Sequence, residues 1–207
     1  MSNSILKKAI LRKTLLAALL TSVLSACSMQ PQSVTPSVKI TEQEKVNLPT
    51  PSSLGYTLTA SQLISASWEQ GEQSGTQQLP VQLQVDQDKL VLAGFSSWGT
   101  RVLSLSYQGD EISTEVLTGL NNVLPAPEQV LFNLMITLWP SSAWEAPLNK
   151  VRWQLIDKGN SRAVFDKQGN QVIDIQYGNS DKLKGQITFR HLVDNYTIVI
   201  NTLDYQK

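Results

Sequence analysis

The chain of 207 residues contains one cysteine and one histidine, and no cluster of basic residues beyond Lys13. A single thiol cannot close a disulfide within the chain, so packing alone must hold the fold. The lone imidazole, His191, leaves little for acid–base or metal chemistry, and no G-x-S-x-G, H-E-x-x-H, G-x-G-x-x-G or phosphate-loop pattern occurs. His191 follows Ile187 and Phe189 at alternate positions and reads as a strand-end residue of a buried face rather than a catalyst. The neighbouring carboxylates Asp110 and Glu111 fall in turn-like sequence, where solvation accounts for them. These shortages speak against an enzyme. No acid precedes Cys27, and Lys7, Lys8, Arg12 and Lys13 all do. Because 17 basic residues balance 17 acids over the whole chain, the part after Cys27 is net acidic, without the basic face that nucleic acid requires.

What the sequence does contain begins with the order of its first residues: positive charge, then the apolar stretch Leu15 to Leu24, then small residues, then the cysteine. Charge followed by a short apolar run is the pattern of a secretory signal. The run falls short of the roughly 20 apolar residues of a membrane-spanning helix. Leu24-Ser25-Ala26-Cys27 resembles the lipobox of bacterial lipoproteins, in which the cysteine sulfur takes a diacylglycerol and the chain is cut before it. The plainer alternative leaves Cys27 as a small residue of an ordinary leader. A buried methylene contributes about 0.8 kcal/mol and one acyl chain holds only marginally, whereas three chains on one residue anchor durably. Ser28, where an aspartate would hold a lipoprotein back, implies by the same resemblance sorting to the outer membrane. Residues 1–26 are therefore expected to be the signal peptide.

From Ser28 to Ser53 the chain is rich in Gln, Ser, Thr and Pro, with no sustained period of 2 or 3.6. This composition predicts a lipidated, disordered tether over 27–53 and a folded domain over 54–207, large enough for one core. Within the domain, apolar and polar residues alternate, as at Leu79, Val81, Leu83 and Val85, and at Leu103, Leu105 and Tyr107. That is the period of half-buried strands. Turn residues punctuate them at Asp86-Gln87-Asp88, Gln108-Gly109-Asp110, Lys158-Gly159-Asn160, Lys167 to Asn170 and Val193-Asp194-Asn195, which predicts an antiparallel meander.

One stretch breaks the alternation. In LPAPEQVLFNLMITLWP the apolar residues recur at helical spacing after a proline-marked start, which predicts a helix from about Glu128 to Trp139 that Pro140 stops, with a second helical turn near Ser142 to Asn149. A helix apolar on nearly every side is either buried in a core or plugs a curved sheet. Strands are expected again over 152–157, 161–166, 171–177, 184–191 and 196–203.

Strands, then KLVLAGFSSWGTRVLSLSYQGDEI, then a proline-flanked helix ending in LWP, then further hairpins resemble the LolA/LolB-like lipoprotein-carrier superfamily. Phe95-Ser96-Ser97-Trp98-Gly99-Thr100 occupies the place of a Pro-Leu-Gly turn in LolB-like proteins, with Trp98 for the leucine and Ser97 for the proline. More closely, residues 54–203 resemble an uncharacterised proteobacterial lipoprotein family placed in that superfamily, through Gly99 to Arg101, Leu138 to Pro140 and Thr202-Leu203. The resemblance implies a mainly β fold: a half-open antiparallel barrel with one or two helices across its mouth and an apolar cavity inside. Members of the family often accompany gene clusters for aryl polyene pigments.

Two function classes follow. In the leading one the protein is an outer-membrane lipoprotein, held by lipid on Cys27, whose cavity takes an acyl or polyene-like ligand as carrier or acceptor. Leu131, Leu134, Met135 and Leu138 of the helix would then close that cavity against Leu103 and Leu105. In the alternative, a filled barrel presents a surface to envelope protein partners as a structural or assembly factor. Alternation alone does not separate a filled barrel from an empty one. Neither class calls for a cofactor or metal. Of the five tryptophans, Trp153 reads as core, while Trp98, in a turn beside Gly99, reads as exposed and suited to membrane or partner contact.

Overall fold

A computed structural model of the chain describes residues 35–41, 44–70, 73–117 and 126–207. The chain separates into two units, Met1–Ser33 and Val34–Lys207, and the described residues all belong to the second. The expected signal peptide over 1–26, the expected lipidation site Cys27 and the chain up to residue 34 lie outside them.

The domain is mainly β. After a small hairpin of β1 (Ser37–Lys39) and β2 (Lys45–Asn47) and a 3-10 turn at Pro51–Leu54 come β3 (Leu58–Gln70), β4 (Gln73–Val85), β5 (Lys89–Phe95), β6 (Arg101–Gln108) and β7 (Glu111–Val116). Two helices follow, α1 (Pro127–Leu138) and α2 (Ser141–Lys150), and then β8 (Gln154–Lys158), β9 (Ser161–Phe165), β10 (Gln171–Tyr177), β11 (Gln186–His191) and β12 (Tyr196–Gln206). The last ten strands form one antiparallel sheet in the order β7-β6-β5-β4-β3-β12-β11-β10-β9-β8. Each half of the chain is thus a meander, and the two are joined where β12 lies along β3. The edge strands β7 and β8 do not pair with each other, so the sheet stays open, as the half-open barrel implied by the resemblance requires.

Register sorts the connections onto two ends of the sheet. The β3–β4, β5–β6, β9–β10 and β11–β12 turns share what is here called the upper end, because Trp68 stands opposite both Gly75 and Tyr196, and Ile173 opposite His191. The β4–β5, β6–β7, β8–β9 and β10–β11 connections share the lower end, where Leu58 meets Val85 and Leu90 meets Tyr107. Turn chemistry is as the sequence predicts. Gly99 and Gly109 adopt φ of 78° and 61°, and the Asp86 carboxylate accepts hydrogen bonds from the backbone of Asp88 and Lys89.

The inward residues of the lower half, among them Leu58, Leu83, Leu90 and Tyr107, are fully buried and form a continuous core with Leu48 and Leu54. The expected tether is corrected here. Residues 35–53, where described, are part of the domain: Val38, Val46 and Leu48 are buried, the Tyr107 hydroxyl donates to the Pro49 carbonyl, and the Trp139 indole donates to that of Thr50. Glu44 binds both the Trp153 indole (3.0 Å) and Lys167 (2.7 Å). Composition misled because three buried side chains, one in each of two short strands and one just after the second, make no period; the larger sheet supplies the apolar face that a polar segment needs in order to fold.

Helix α1 begins with Pro127 in its first turn and ends where Trp139 turns to extended backbone ahead of Pro140. Its final carbonyls are buried and need donors. Arg162, 1% exposed, donates from Nη1 to the carbonyls of Ile136 (2.6 Å) and Trp139 (2.8 Å), while its Nε and Nη2 bind Asp157 (2.6 and 2.8 Å). Tyr177 donates to the Thr137 carbonyl and the Trp144 indole to that of Met135. A buried cation at a helix C-terminus also complements the helix dipole. Burial acts to raise the Asp157 carboxyl, but the hydrogen bonds and charge of Arg162 outweigh it and hold the group below the usual carboxylate range.

Candidate functional site

Between α1 and the upper half of the concave face lies a cavity of about 530 Å³, within the range of small-molecule sites. Its floor is apolar: Leu79, Val81 and Leu92 from β4 and β5, Leu103 and Leu105 from β6, and Phe189, Ile198 and Ile200 from β11 and β12. No charged side chain lines it. The helix contributes Val130, Asn133, Leu134 and Thr137, which recur at one face of a helical period. The cavity rim reaches Ala66 and Gln77 of the β3–β4 hairpin, Val116 at the end of β7, and Ala126 and Pro127 at the start of α1. It therefore opens at the upper end of the sheet.

One glycine shapes this space by lacking a side chain. A Cβ on Gly94 would come within 2.7 Å of Leu79 Cδ2, whose side chain lines the cavity. Leu79 can lie flat against the floor only because position 94 is bare. Polarity in the lining is confined to neutral groups. Asn133 exchanges hydrogen bonds with the Tyr196 hydroxyl (3.0 and 3.2 Å) and accepts one from Gln129, and Thr137 donates to the Asn133 carbonyl. Burial pushes the Tyr196 hydroxyl up to about 12, so it remains protonated. One polar atom of the concave side, Oε1 of Gln62, is buried without a hydrogen-bond partner; the amide nitrogen of that residue donates to Thr202.

The cavity brings together three of the six residues expected to line it: Leu103, Leu105 and Leu134. Leu131, Met135 and Leu138 are equally buried but belong to the other side of α1, away from the cavity. That side packs with α2, where Phe132 meets Trp144 edge-on at 5.5 Å. With hardly a polar position to mark an outward side, the rotation of α1 was not readable from its sequence. Val130, Asn133 and Thr137, at spacings of three and four around Leu134, were the residues missed, and that spacing was the signal available.

His191 stands elsewhere, 7% exposed, beside a second hollow of about 460 Å³ shared with Gln129, Phe132 and Trp153. Its Nδ1 accepts from the Asp194 backbone (3.1 Å) and its ring stacks on Tyr196 at 5.0 Å. Burial lowers its pKa, with Asp194 pulling the other way. Of the tryptophans, Trp139, Trp144 and Trp153 are buried, and Trp98 is 93% exposed. Cys27 lies outside the described residues.

The model of a family described as "Protein of unknown function (DUF3261)" matches residues 59–204. No curated protein matches the chain. Among solved structures, a LolA superfamily protein from Nitrosomonas europaea is similar at 8% identity and a TM-score of 0.42, over 77% of this chain and 94% of that one. A DUF1329 family protein from Desulfovibrio piger is similar at 8% identity and a TM-score of 0.33, over 77% and 93%.

Proposed function

The chain belongs to the DUF3261 family, and from that premise we propose that it is an outer-membrane lipoprotein that binds an apolar, lipid-like ligand under α1, as carrier or acceptor. The observation that supports this reading is the cavity itself: about 530 Å³ of uncharged, largely apolar lining that opens to solvent while the lower half of the same sheet is closely packed. An empty apolar space costs cohesion, and a chain that fills it recovers the contacts and leaves water. Acyl chains and polyenes have that shape and polarity. A carboxylate or phosphate finds no countercharge in the lining, so a charged headgroup stays at the rim. The sequence leading to Cys27 supports an anchor on that cysteine, and Ser28 supports the outer membrane as its destination. The reading assigns no catalytic chemistry to the site.

The test is a titration of soluble protein, lacking the leader and Cys27 and stripped of lipid, with a fluorescent fatty acid. Saturable micromolar binding is expected. Leu134→Glu, which places a charge in the cavity, should weaken it by a factor of about ten or more while the far-ultraviolet circular dichroism is kept. A well-folded wild type that binds no apolar probe would shift the reading to the filled-barrel assembly factor with protein partners.

A further inference from the structure

Within the uncharged lining of the cavity one side chain is a polar group held in a fixed direction. Gln77 and Gln78 stand exposed at the rim, and Thr137 spends its hydroxyl hydrogen on the Asn133 carbonyl (2.7 Å). Thr114, half-buried on the edge strand β7, carries a hydroxyl, which rotates to give or to take a hydrogen bond. Asn133 differs. It lies on the face that α1 turns to the cavity, with Val130 and Thr137 about a turn to either side, and neighbours outside the lining orient its amide. Its Oδ1 accepts from the Gln129 amide (3.1 Å) and lies 3.2 Å from the Tyr196 hydroxyl, which is 3.0 Å from Nδ2. A primary amide has two lone pairs on oxygen and two hydrogens on nitrogen. Gln129 and Tyr196 can therefore satisfy Oδ1 in full, but only one of the two N–H groups. The other N–H belongs to a half-buried residue of the lining, and among the described residues no acceptor meets it. The cavity thus presents a donor without a matching acceptor.

We infer that Asn133 determines which apolar ligands the cavity keeps, by donating its remaining N–H to an uncharged carbonyl carried on the chain: an ester, an amide or a ketone. The inference rests on the proposed ligand site and narrows its occupant. In the empty cavity water can reach the half-buried amide and accept the hydrogen bond. A bare hydrocarbon that enters displaces this water and gives nothing in return, so the N–H is left unpaired in apolar surroundings. A carbonyl oxygen restores the bond. A carboxylate would accept it as well, but the lining holds no cation to offset the burial of its charge, so a fatty acid inserts its chain and leaves its headgroup at the rim. Gln129 and Tyr196 act as positioning residues: they fix the amide before a ligand arrives, and little rotamer freedom is lost on binding. A hydrogen bond between neutral groups, made or left unmade in such a place, changes affinity by about tenfold. The carbonyl-bearing chain is preferred by that factor over one that buries only methylenes.

The test uses the soluble protein of the titration above, which contains every described residue, with methyl laurate as the probe. Hydrogen bonding lowers the stretching frequency of an ester carbonyl, and the infrared difference between ester labelled with carbon-13 at that carbonyl and unlabelled ester isolates the band. In the wild type the bound ester should absorb below its frequency in hexane. In Asn133→Leu the band should return to the hexane position. Displacement of the fluorescent fatty acid gives the affinities: Asn133→Leu should bind the ester about tenfold more weakly and the fatty acid at least as tightly as before, because the unpaired donor that its chain buried is gone. A mere loosening of α1 would weaken both. A wild-type band at the hexane position, a shift that survives Asn133→Leu, or equal loss of the two ligands overturns the inference and leaves the ligand site standing. A well-folded wild type that takes up neither ester nor fatty acid removes the site, and the inference with it.

Discussion

Gly94 shows how one missing side chain makes a cavity. It faces inward on β5 opposite Val81 and Leu103, and the atom that a Cβ would meet is the flexible end of Leu79. Substitution there moves a rotatable methyl rather than backbone, so the strain is relieved into the empty space. Gly94→Val should accordingly fold, with a loss of about 1 to 3 kcal/mol from overpacking, while the volume left for a ligand shrinks. The fatty-acid titration and a urea unfolding curve measured on one preparation check this: affinity should fall about tenfold with stability largely kept. Unchanged affinity would mean that the ligand does not use the β4–β5 floor. The glycine is visible in the sequence, but Leu79 as its partner is not, because the pair depends on the register of β4 against β5.

At the scale of elements, α1 is positioned by what holds its C-terminal end. Helix α1 ends in a proline-directed turn with no glycine cap, and its orphan carbonyls are met by Arg162, Tyr177 and the Trp144 indole, donors from three later elements. Arg162 is itself fixed by Asp157, its cross-strand neighbour on β8, so the β8–β9 hairpin serves as the clamp of the helix. Arg162→Ala leaves the carbonyls of Ile136 and Trp139 without those donors and should cost about 2 to 5 kcal/mol. Guanidinium unfolding followed by circular dichroism measures it. A loss under about 1 kcal/mol would show that water reaches the helix end. A cation beyond the helix by 24 residues or more carries no local signal in the sequence, and neither does the rotation of α1 that exchanged Val130, Asn133 and Thr137 for Leu131, Met135 and Leu138 at the cavity.

For the whole molecule, acid should act in two stages. Burial lowers the pKa of His191 against the pull of Asp194, so an unfolded chain takes up a proton near the ordinary value of 6.5 while the folded chain takes it up only at lower pH. Stability contributed by the neutral imidazole is thus present above that value and declines as pH falls below it. The carboxylates come second. The Lys167 hydrogen bond holds Glu44 low, Arg162 does so for Asp157 against the effect of burial, and Lys207 does so for Asp181. Their folded values lie below the unfolded ones, so what they contribute is kept above about pH 4 and lost beneath it. Two of them join distant parts of the chain, Glu44 the start of β2 to the β9–β10 turn and Asp181 the β10–β11 loop to Lys207, while Asp157 fixes Arg162 across the β8–β9 hairpin. The melting temperature should therefore fall gently from pH 7 to 5 and steeply below 4, and His191→Phe should flatten the first stage only. A wild type with no change between pH 7 and 5 would contradict the burial assigned to His191.

The sequence by itself determined the elements that local chemistry dictates. Alternation marked the strands, Gly, Asn and Asp marked the hairpins, and Pro127 and Pro140 bounded a helix that runs from Pro127 to Leu138, within one residue of its expected span at either end. The exposure of Trp98 and the burial of Trp153 were likewise legible, one in a turn and one at a strand start. What only the tertiary structure decided is everything that requires two segments far apart to meet. The pairing of β12 with β3, the turn of α1 about its axis, the hold of Arg162 on its end and the folding of residues 35–53 onto the domain all depend on surfaces built elsewhere in the chain. A polar segment orders when a neighbour offers an apolar face, and a helix apolar all round is oriented by whichever donors and side chains surround it. Local periodicity records the propensity of each segment, whereas the energy that sets these arrangements lies in the contacts between segments.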